Sequence, residues 1–259
     1  MKLQFLGTGA ADWNIDSRRD GDFFRRFSSA VIDGTLLIDP GPHIYDFAEK
    51  NGTPGMFLGV TDIIVTHSHA DHFNTGTVKR IVAGADHPVR LWASPVLFKV
   101  FAGETCALPQ FMPLEVGKVV DAGGYFVTPC RSNHGPFKVG EDTFNFIVKK
   151  DGRSLFYGAD SGWIMYDTWL AIKEVRPNAW VFECTVGNIL GDDRSFGHTS
   201  IPMIDIMMHT VRDQHGAADD CKFYATHMAR GLHGSHEQTA AELAHTGVVP
   251  AYDGMTVEI

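Results

Sequence analysis

Apolar positions fall in short runs broken by Gly, Pro, Asp and Asn, a spacing that predicts strands alternating with helices. Lys2 to Leu6 reads as a first strand, Ser28–Asp33 and Thr35–Ile38 as a hairpin turning at Asp33-Gly34, and Ile63-Ile64-Val65 as a buried strand. A helix-like segment, Phe73 to Ala83, follows that strand; Val89 to Ala93 is a further strand, and Ser94-Pro95 marks a helix start. Residues 104 to 124 show no regular period, and Tyr125 to Pro129 returns to strand. Phe144–Lys149 and Ser154–Phe156 form a second hairpin around Asp151-Gly152. Tyr166–Val175 is predicted helical and Ala179–Glu183 a buried strand, while Ile201, Ile204, Met208 and Val211 share one helical face. Lys222–Thr226 is the last core strand before a helix over Glu237–Ala244. Periodicity alone therefore gives an α/β chain.

Composition narrows the class. With 259 residues, 44% hydrophobic and 20% charged, the chain can bury a full core, and no linker divides it, so residues 1–259 are expected to form a single domain. The first apolar stretch is broken by Gly7-Thr8-Gly9, and no run approaches the roughly 18 apolar residues of a membrane span. A cytoplasmic protein without a membrane partner is the expectation. Cys106, Cys130, Cys184 and Cys221 are widely spaced without a Cys-x-x-Cys pair, which fits free thiols in a reducing compartment. The net charge of −9 disfavours a long nucleic acid, whose phosphates call for a basic surface. A small anion drawn to local cations is compatible with it, and homodimerisation is left open.

The densest chemistry is Thr66-His67-Ser68-His69-Ala70-Asp71-His72, delivered by the buried strand 63–65. Three imidazoles and a carboxylate within six residues have no apolar use, and their donors suit a Zn, Mn or Fe dication. Alternating side-chain directions let His67 and His69 share one ion while Asp71 and His72 reach a second. Gly7-Thr8-Gly9 is a turn and not a phosphate loop, since no Lys-Ser/Thr pair closes it. Residues 12 to 27 read as a loop carrying Arg18, Arg19, Arg25 and Arg26 around Asp20 and Asp22. It is either a solvated surface loop with internal ion pairs or a wall in which Arg25 or Arg26 binds a substrate anion.

His-x-His-x-Asp-His after a buried strand resembles the signature of the metallo-β-lactamase superfamily. The Phe-Leu-Gly-Thr-Gly opening and Phe196-Gly197-His198-Thr199-Ser200 are similar to elements of its tRNA 3′-processing nucleases and of the phosphoribosyl cyclic phosphate phosphodiesterase group, and the tail from Ala251 resembles the latter. The resemblance implies an αββα sandwich of two mixed sheets flanked by helices. It implies two divalent ions, Zn or Mn with Fe also suitable: His67, His69 and His134 on one, Asp71, His72 and His227 on the other, Asp160 bridging. Asp39 would support a ligating His from behind, or else stabilise its turn, and His198 would face the scissile phosphate without binding metal. Glu183 is read as a structural acid or one near the metal centre, His43 as a surface or loop residue, and His233 and His236 as surface or supporting residues.

The expected activity is hydrolysis of a small cyclic or diester phosphate, an anionic phosphoester, with Asp71 and His198 counted among the catalytic residues. A long basic arm for RNA and an early Cys cluster for structural zinc, features of the two similar groups, are missing. Rival readings are a carboxylic ester, lactone or thioester hydrolase, a tRNA-type nuclease, and a binding protein that kept the fold without turnover.

Overall fold

The computed structural model describes residues 1–17, 23–136 and 138–259. Arg18, Arg19, Asp20 and Asp22 of the arginine-rich loop lie outside the described residues.

Among the described residues, two seven-stranded mixed sheets stack face to face with helices on both outer sides. The first sheet runs β1 (Lys2–Gly7), β2 (Ser29–Ile32), β3 (Leu36–Ile38), β4 (Asp62–Ile64), β5 (Arg90–Ala93) and β6 (Gln110–Pro113), each beside the next. The second runs β7 (Val120–Ala122), β8 (Tyr125–Arg131), β9 (Phe144–Lys150), β10 (Arg153–Tyr157), β11 (Ala179–Glu183), β12 (Lys222–Thr226) and β13 (Val248–Pro250). The last strand, β14 (Thr256–Glu258), returns to pair antiparallel with β1. Each sheet is antiparallel on one side and parallel from β3 or β10 onward.

Strand alternation decides which core each residue joins, because successive side chains point to opposite faces. Ala30, Ile32, Leu36, Ile38 and Ile64 point between the sheets to meet Phe146, Val148, Leu155 and Tyr157. Their neighbours Val31, Leu37 and Ile63 face outward onto α1 (Ile44–Lys50) and α2 (Thr75–Gly84). Ile147, Phe156, Trp180 and Phe182 cover the other outer face, beneath α3 (Tyr166–Val175), α4 (Ile201–Asp213) and α5 (His236–Leu243). Both faces of the central strands are thus buried, which is why they read as continuous apolar runs. The predicted stripe of α4 is core, and Ser200 caps that helix by accepting from the Met203 amide.

The structure departs from the sequence reading in four places. The stretch 104–124 contains β6 and β7, too short to show a period. Pro95–Phe101 is a 3-10 helix. The seven-residue α1 follows Pro40-Gly41-Pro42, and its start at His43 is buried, that ring stacking on Phe27 at 3.9 Å rather than lying on the surface. β13 had no local signal. No helix among the described residues is long and apolar enough to cross a membrane.

The Gly-Thr-Gly turn has a packing cause. A Cβ on Gly7 would lie 2.0 Å from the Phe27 carbonyl oxygen, and one on Gly9 2.5 Å from the Trp13 ring. Their absence lets Gly9 bridge to both Phe27 and Met228, which brings residues 10–12 against the edge where β4, β8, β10 and β12 end.

Candidate metal centre

Carboxyl ends of parallel strands share one edge, and loops leaving them converge there. The loop after β4 brings His67, His69, Asp71 and His72; those after β8, β10 and β12 bring His134, Asp160 and His227. His67 Nε2 and His134 Nε2 lie 2.9 and 3.1 Å from His69 Nδ1, and each lies 3.7 Å from Asp160 Oδ2. Alongside, His72 Nε2 and His227 Nε2 are 3.1 Å apart, 3.2 and 3.1 Å from Asp160 Oδ1, and 3.5 and 3.3 Å from Asp71 Oδ2. Within each group the donor atoms all lie within 4.8 Å of one another. Asp160 belongs to both, with one oxygen turned to each.

The backs of the rings are fixed. His72 Nδ1 donates to Asp39 Oδ2 at 2.8 Å, His134 Nδ1 to the Gly197 carbonyl at 2.9 Å, and His227 Nδ1 to Thr185 Oγ1 at 2.8 Å. Thr66 Oγ1 gives its proton to Asp39 at 2.8 Å and so accepts from His67 Nδ1 at 3.0 Å. With these Nδ1 protons committed, each Nε2 turns a bare lone pair into the centre. Burial, and then the neighbouring His72, hold the His67 imidazole well below its ordinary value. Burial is also the main cause that lowers His69 and His134. Neutral imidazole is the ligating form.

The donor set fits a divalent cation. Asp39, Asp71 and Asp160 are all buried, and Asp160 Oδ1 has no hydrogen-bond partner. Burial opposes ionisation of Asp71 and Asp160, yet the surrounding imidazoles pull both below the ordinary carboxylate range. Burial likewise opposes charge on His72, but Asp160 and Asp71 raise it well above the usual imidazole value. The carboxylates thus demand positive charge where the lone pairs meet.

A family profile described as "Beta-lactamase superfamily domain" matches residues 35–228, three quarters of the chain, including the loops that carry these groups. The chain belongs to the metallo-β-lactamase superfamily. Among solved structures, it is similar over its whole length to the metallo-β-lactamase fold protein YhfI from Bacillus subtilis (TM-score 0.76, 15% identity, 99% of that chain covered). It is also similar over its whole length to a diphosphatase from the PhnP family (0.73, 19%, 97%) and to the short form of human tRNase Z (0.69, 19%, 99%). At these identities the likeness is one of fold. No curated protein matches the sequence significantly.

Asp39 stands behind His72, the place the resemblance implies for it: beyond His72 and the Thr66 hydroxyl it accepts the Thr66 amide at 2.8 Å, with a backbone φ of +56°. Glu183, ending β11, is a hub. It accepts from the amides of Thr185 and Thr199 at 2.7 Å and from the Thr185 hydroxyl at 2.8 Å. His198 Nδ1 lies 3.1 Å from it, and the ring stacks parallel to His227 with centroids 5.8 Å apart. Burial works against charge on His198, but Glu183 lifts it to about 9. With Nδ1 occupied, Nε2 is the atom free for a substrate.

A cavity of about 200 Å³ opens over the centre, lined by His69, Asp71, Asp160, His198 and His227 and walled by Ala10, Asp12, Thr185 and Arg194. A larger apolar groove of about 250 Å³ between α3 and α4 holds none of these groups. Arg25 and Arg26 are corrected here: neither lines the cavity. Arg25 is buried, donating to Thr8 Oγ1 and the Ala251 carbonyl at 2.7 Å, while Arg26 pairs with Asp46 at 2.6 Å and Asp253 at 3.4 Å. They fasten the Gly-Thr-Gly loop to the C-terminal segment. Arg194, which the sequence reading did not single out, is the guanidinium that lines the cavity among the described residues, with Nε and one Nη held by Asp192 at 2.8 and 2.7 Å. Its only sequence signal is position, four residues before His198. His233 and His236 are supports: His233 Nε2 lies 2.6 Å from the Cys184 carbonyl and His236 Nδ1 3.2 Å from Arg25.

Proposed function

We propose that this protein is a dinuclear, metal-dependent phosphodiesterase acting on a small cyclic or diester phosphate. His67, His69 and His134 would hold one ion, Asp71, His72 and His227 the other, and Asp160 both, with Zn, Mn or Fe suited to these nitrogen and oxygen donors. Such ions supply Lewis acidity and make water nucleophilic near neutral pH.

The observation that carries the phosphodiester reading is His198. It stands in the cavity wall, outside the seven residues assigned to the two ions though clustered with Glu183 and His227, with Nδ1 against Glu183 and Nε2 left over. An alkoxide leaving phosphorus needs a proton, whereas a thiolate leaving a thioester does not. A His positioned by a buried carboxylate supplies that proton, and Glu183 and Thr185 keep the ring in register with His227. The guanidinium edge of Arg194 left over by Asp192 is suited to a phosphoryl oxygen. The cavity is smaller than the usual 300–1,000 Å³ of drug-sized sites, which favours a small substrate.

A Zn- or Mn-loaded protein offered bis(p-nitrophenyl) phosphate beside a panel of thioesters, lactones and carboxylic esters tests the reading. Turnover of the diester is expected to dominate. Turnover confined to acyl substrates would replace it with the acyl-hydrolase reading, and none on either would leave a binding protein.

A further inference from the structure

The cavity wall carries a carboxylate that the metal centre does not use. Asp12 follows the Gly-Thr-Gly turn and lines the cavity together with His198 and Arg194. Its two oxygens accept the amides of Arg230 and Gly231 at 2.7 and 2.9 Å, so the side chain is held rather than swinging in solvent. Trp13, the next residue, donates from Nε1 to the Met228 carbonyl at 2.8 Å and locks the same loop. No described cation lies within ion-pair distance of Asp12, although its charge reaches the Arg194 guanidinium across the cavity wall. The Arg230 guanidinium is turned onto the Trp13 ring, 5.7 Å from its centroid, and the Nε edge of Arg194 is occupied by Asp192, leaving its other edge toward the phosphate site. Each carboxylate oxygen keeps a lone pair beyond its amide bond.

A fixed negative charge at the mouth of a site for a phosphate anion attracts a substrate whose far arm is cationic and repels one whose arm is anionic. Resting on the phosphodiesterase reading, we propose that Asp12 is a specificity-determining residue that selects phosphodiesters whose organic arm at the cavity mouth carries an ammonium group. The phosphate is drawn to the metal centre and Arg194, while the arm projects to the wall where Asp12 waits. A neutral hydroxyl there gains a hydrogen bond only, and a carboxylate is repelled. At surface-like screening and a separation of several ångströms, one charge pair changes selectivity on the order of tenfold.

The test compares kcat/KM for three p-nitrophenyl phosphodiesters whose second alcohol is 2-aminoethanol, ethanol or 3-hydroxypropanoate, using the metal-loaded full chain. The wild type should favour the aminoethyl ester over the ethyl ester about tenfold and disfavour the carboxylate by a similar factor. Asp12→Asn, which removes the charge and keeps an acceptor for one of the two amides of residues 230 and 231, should bring the aminoethyl-to-ethyl ratio close to one, and Asp12→Lys should invert the series. Raising the salt should shrink the wild-type ratio without any substitution, an independent reading should a variant fold poorly. A wild-type ratio near one, or a ratio unchanged in Asp12→Asn or insensitive to salt, overturns the assignment while leaving the phosphodiesterase reading intact. Failure to hydrolyse even the ethyl ester sinks both.

Discussion

Replacing Asp39 by Asn probes the layer behind the proposed ligands. Its carboxylate meets three donors at 2.8 Å: the Thr66 amide, the Thr66 hydroxyl and His72 Nδ1. Asn keeps one oxygen for the Thr66 amide but sets an NH2 against the other two donors. The least costly escape moves the His72 proton from Nδ1 to Nε2, the atom that faces Asp160 and His227. A protonated Nε2 cannot ligate. Losing such a supporting group typically weakens metal binding 10–100-fold, or about 1.4–2.7 kcal/mol. The loss should fall on the group of Asp71, His72 and His227. His67 should suffer less, because the Thr66 hydroxyl can rotate and still accept from its Nδ1. Competition against a chromophoric chelator, fitted with two classes of site, reads both affinities. Unchanged binding at both, or an equal loss at both, would refute the reasoning.

Two further substitutions separate roles by their readouts. His198→Ala should bind metal normally and lose about a hundred- to ten-thousandfold in turnover of a diester with an alkyl leaving group, but far less with p-nitrophenolate, which leaves without a proton; loss of metal would instead make His198 a ligand in the alternative group it forms with Glu183 and His227. Arg25→Ala should destabilise the fold by about 1–3 kcal/mol in urea unfolding, since it strips partners from Thr8 and Ala251, with KM within about twofold of wild type. A raised KM at unchanged stability would return Arg25 to an anion-binding role.

Much of this arrangement could be read in the chain because local rules and global fold agree where both faces of a strand are buried. The hairpin at Asp33-Gly34, the helix Tyr166–Val175 and the strands Ala179–Glu183 and Lys222–Thr226 lie where pattern and turn chemistry placed them. The sandwich of two sheets, in contrast, is implied only by the family resemblance, and nothing local gives the strand order or says that β14 returns to β1. In the metal centre, the spacing of the His-rich loop was legible, while His134, Asp160 and His227 sit in loops whose convergence is a property of parallel strand ends. The arginines misled because a sequence shows charge but not direction. Arg25 and Arg26 turn inward to Thr8, Asp46 and Asp253, partners about 20 to over 200 residues away, and Arg194 carried no pattern that set it apart.

The central claim is that Asp160 joins two adjacent metal sites, and metal content measured on the saturated protein tests it most directly. Bound Zn or Mn should approach two equivalents per chain, and Asp160→Ala, which removes an oxygen from each group, should lower that figure. A wild-type value that stays at one equivalent and does not change in Asp160→Ala would contradict the bridged centre.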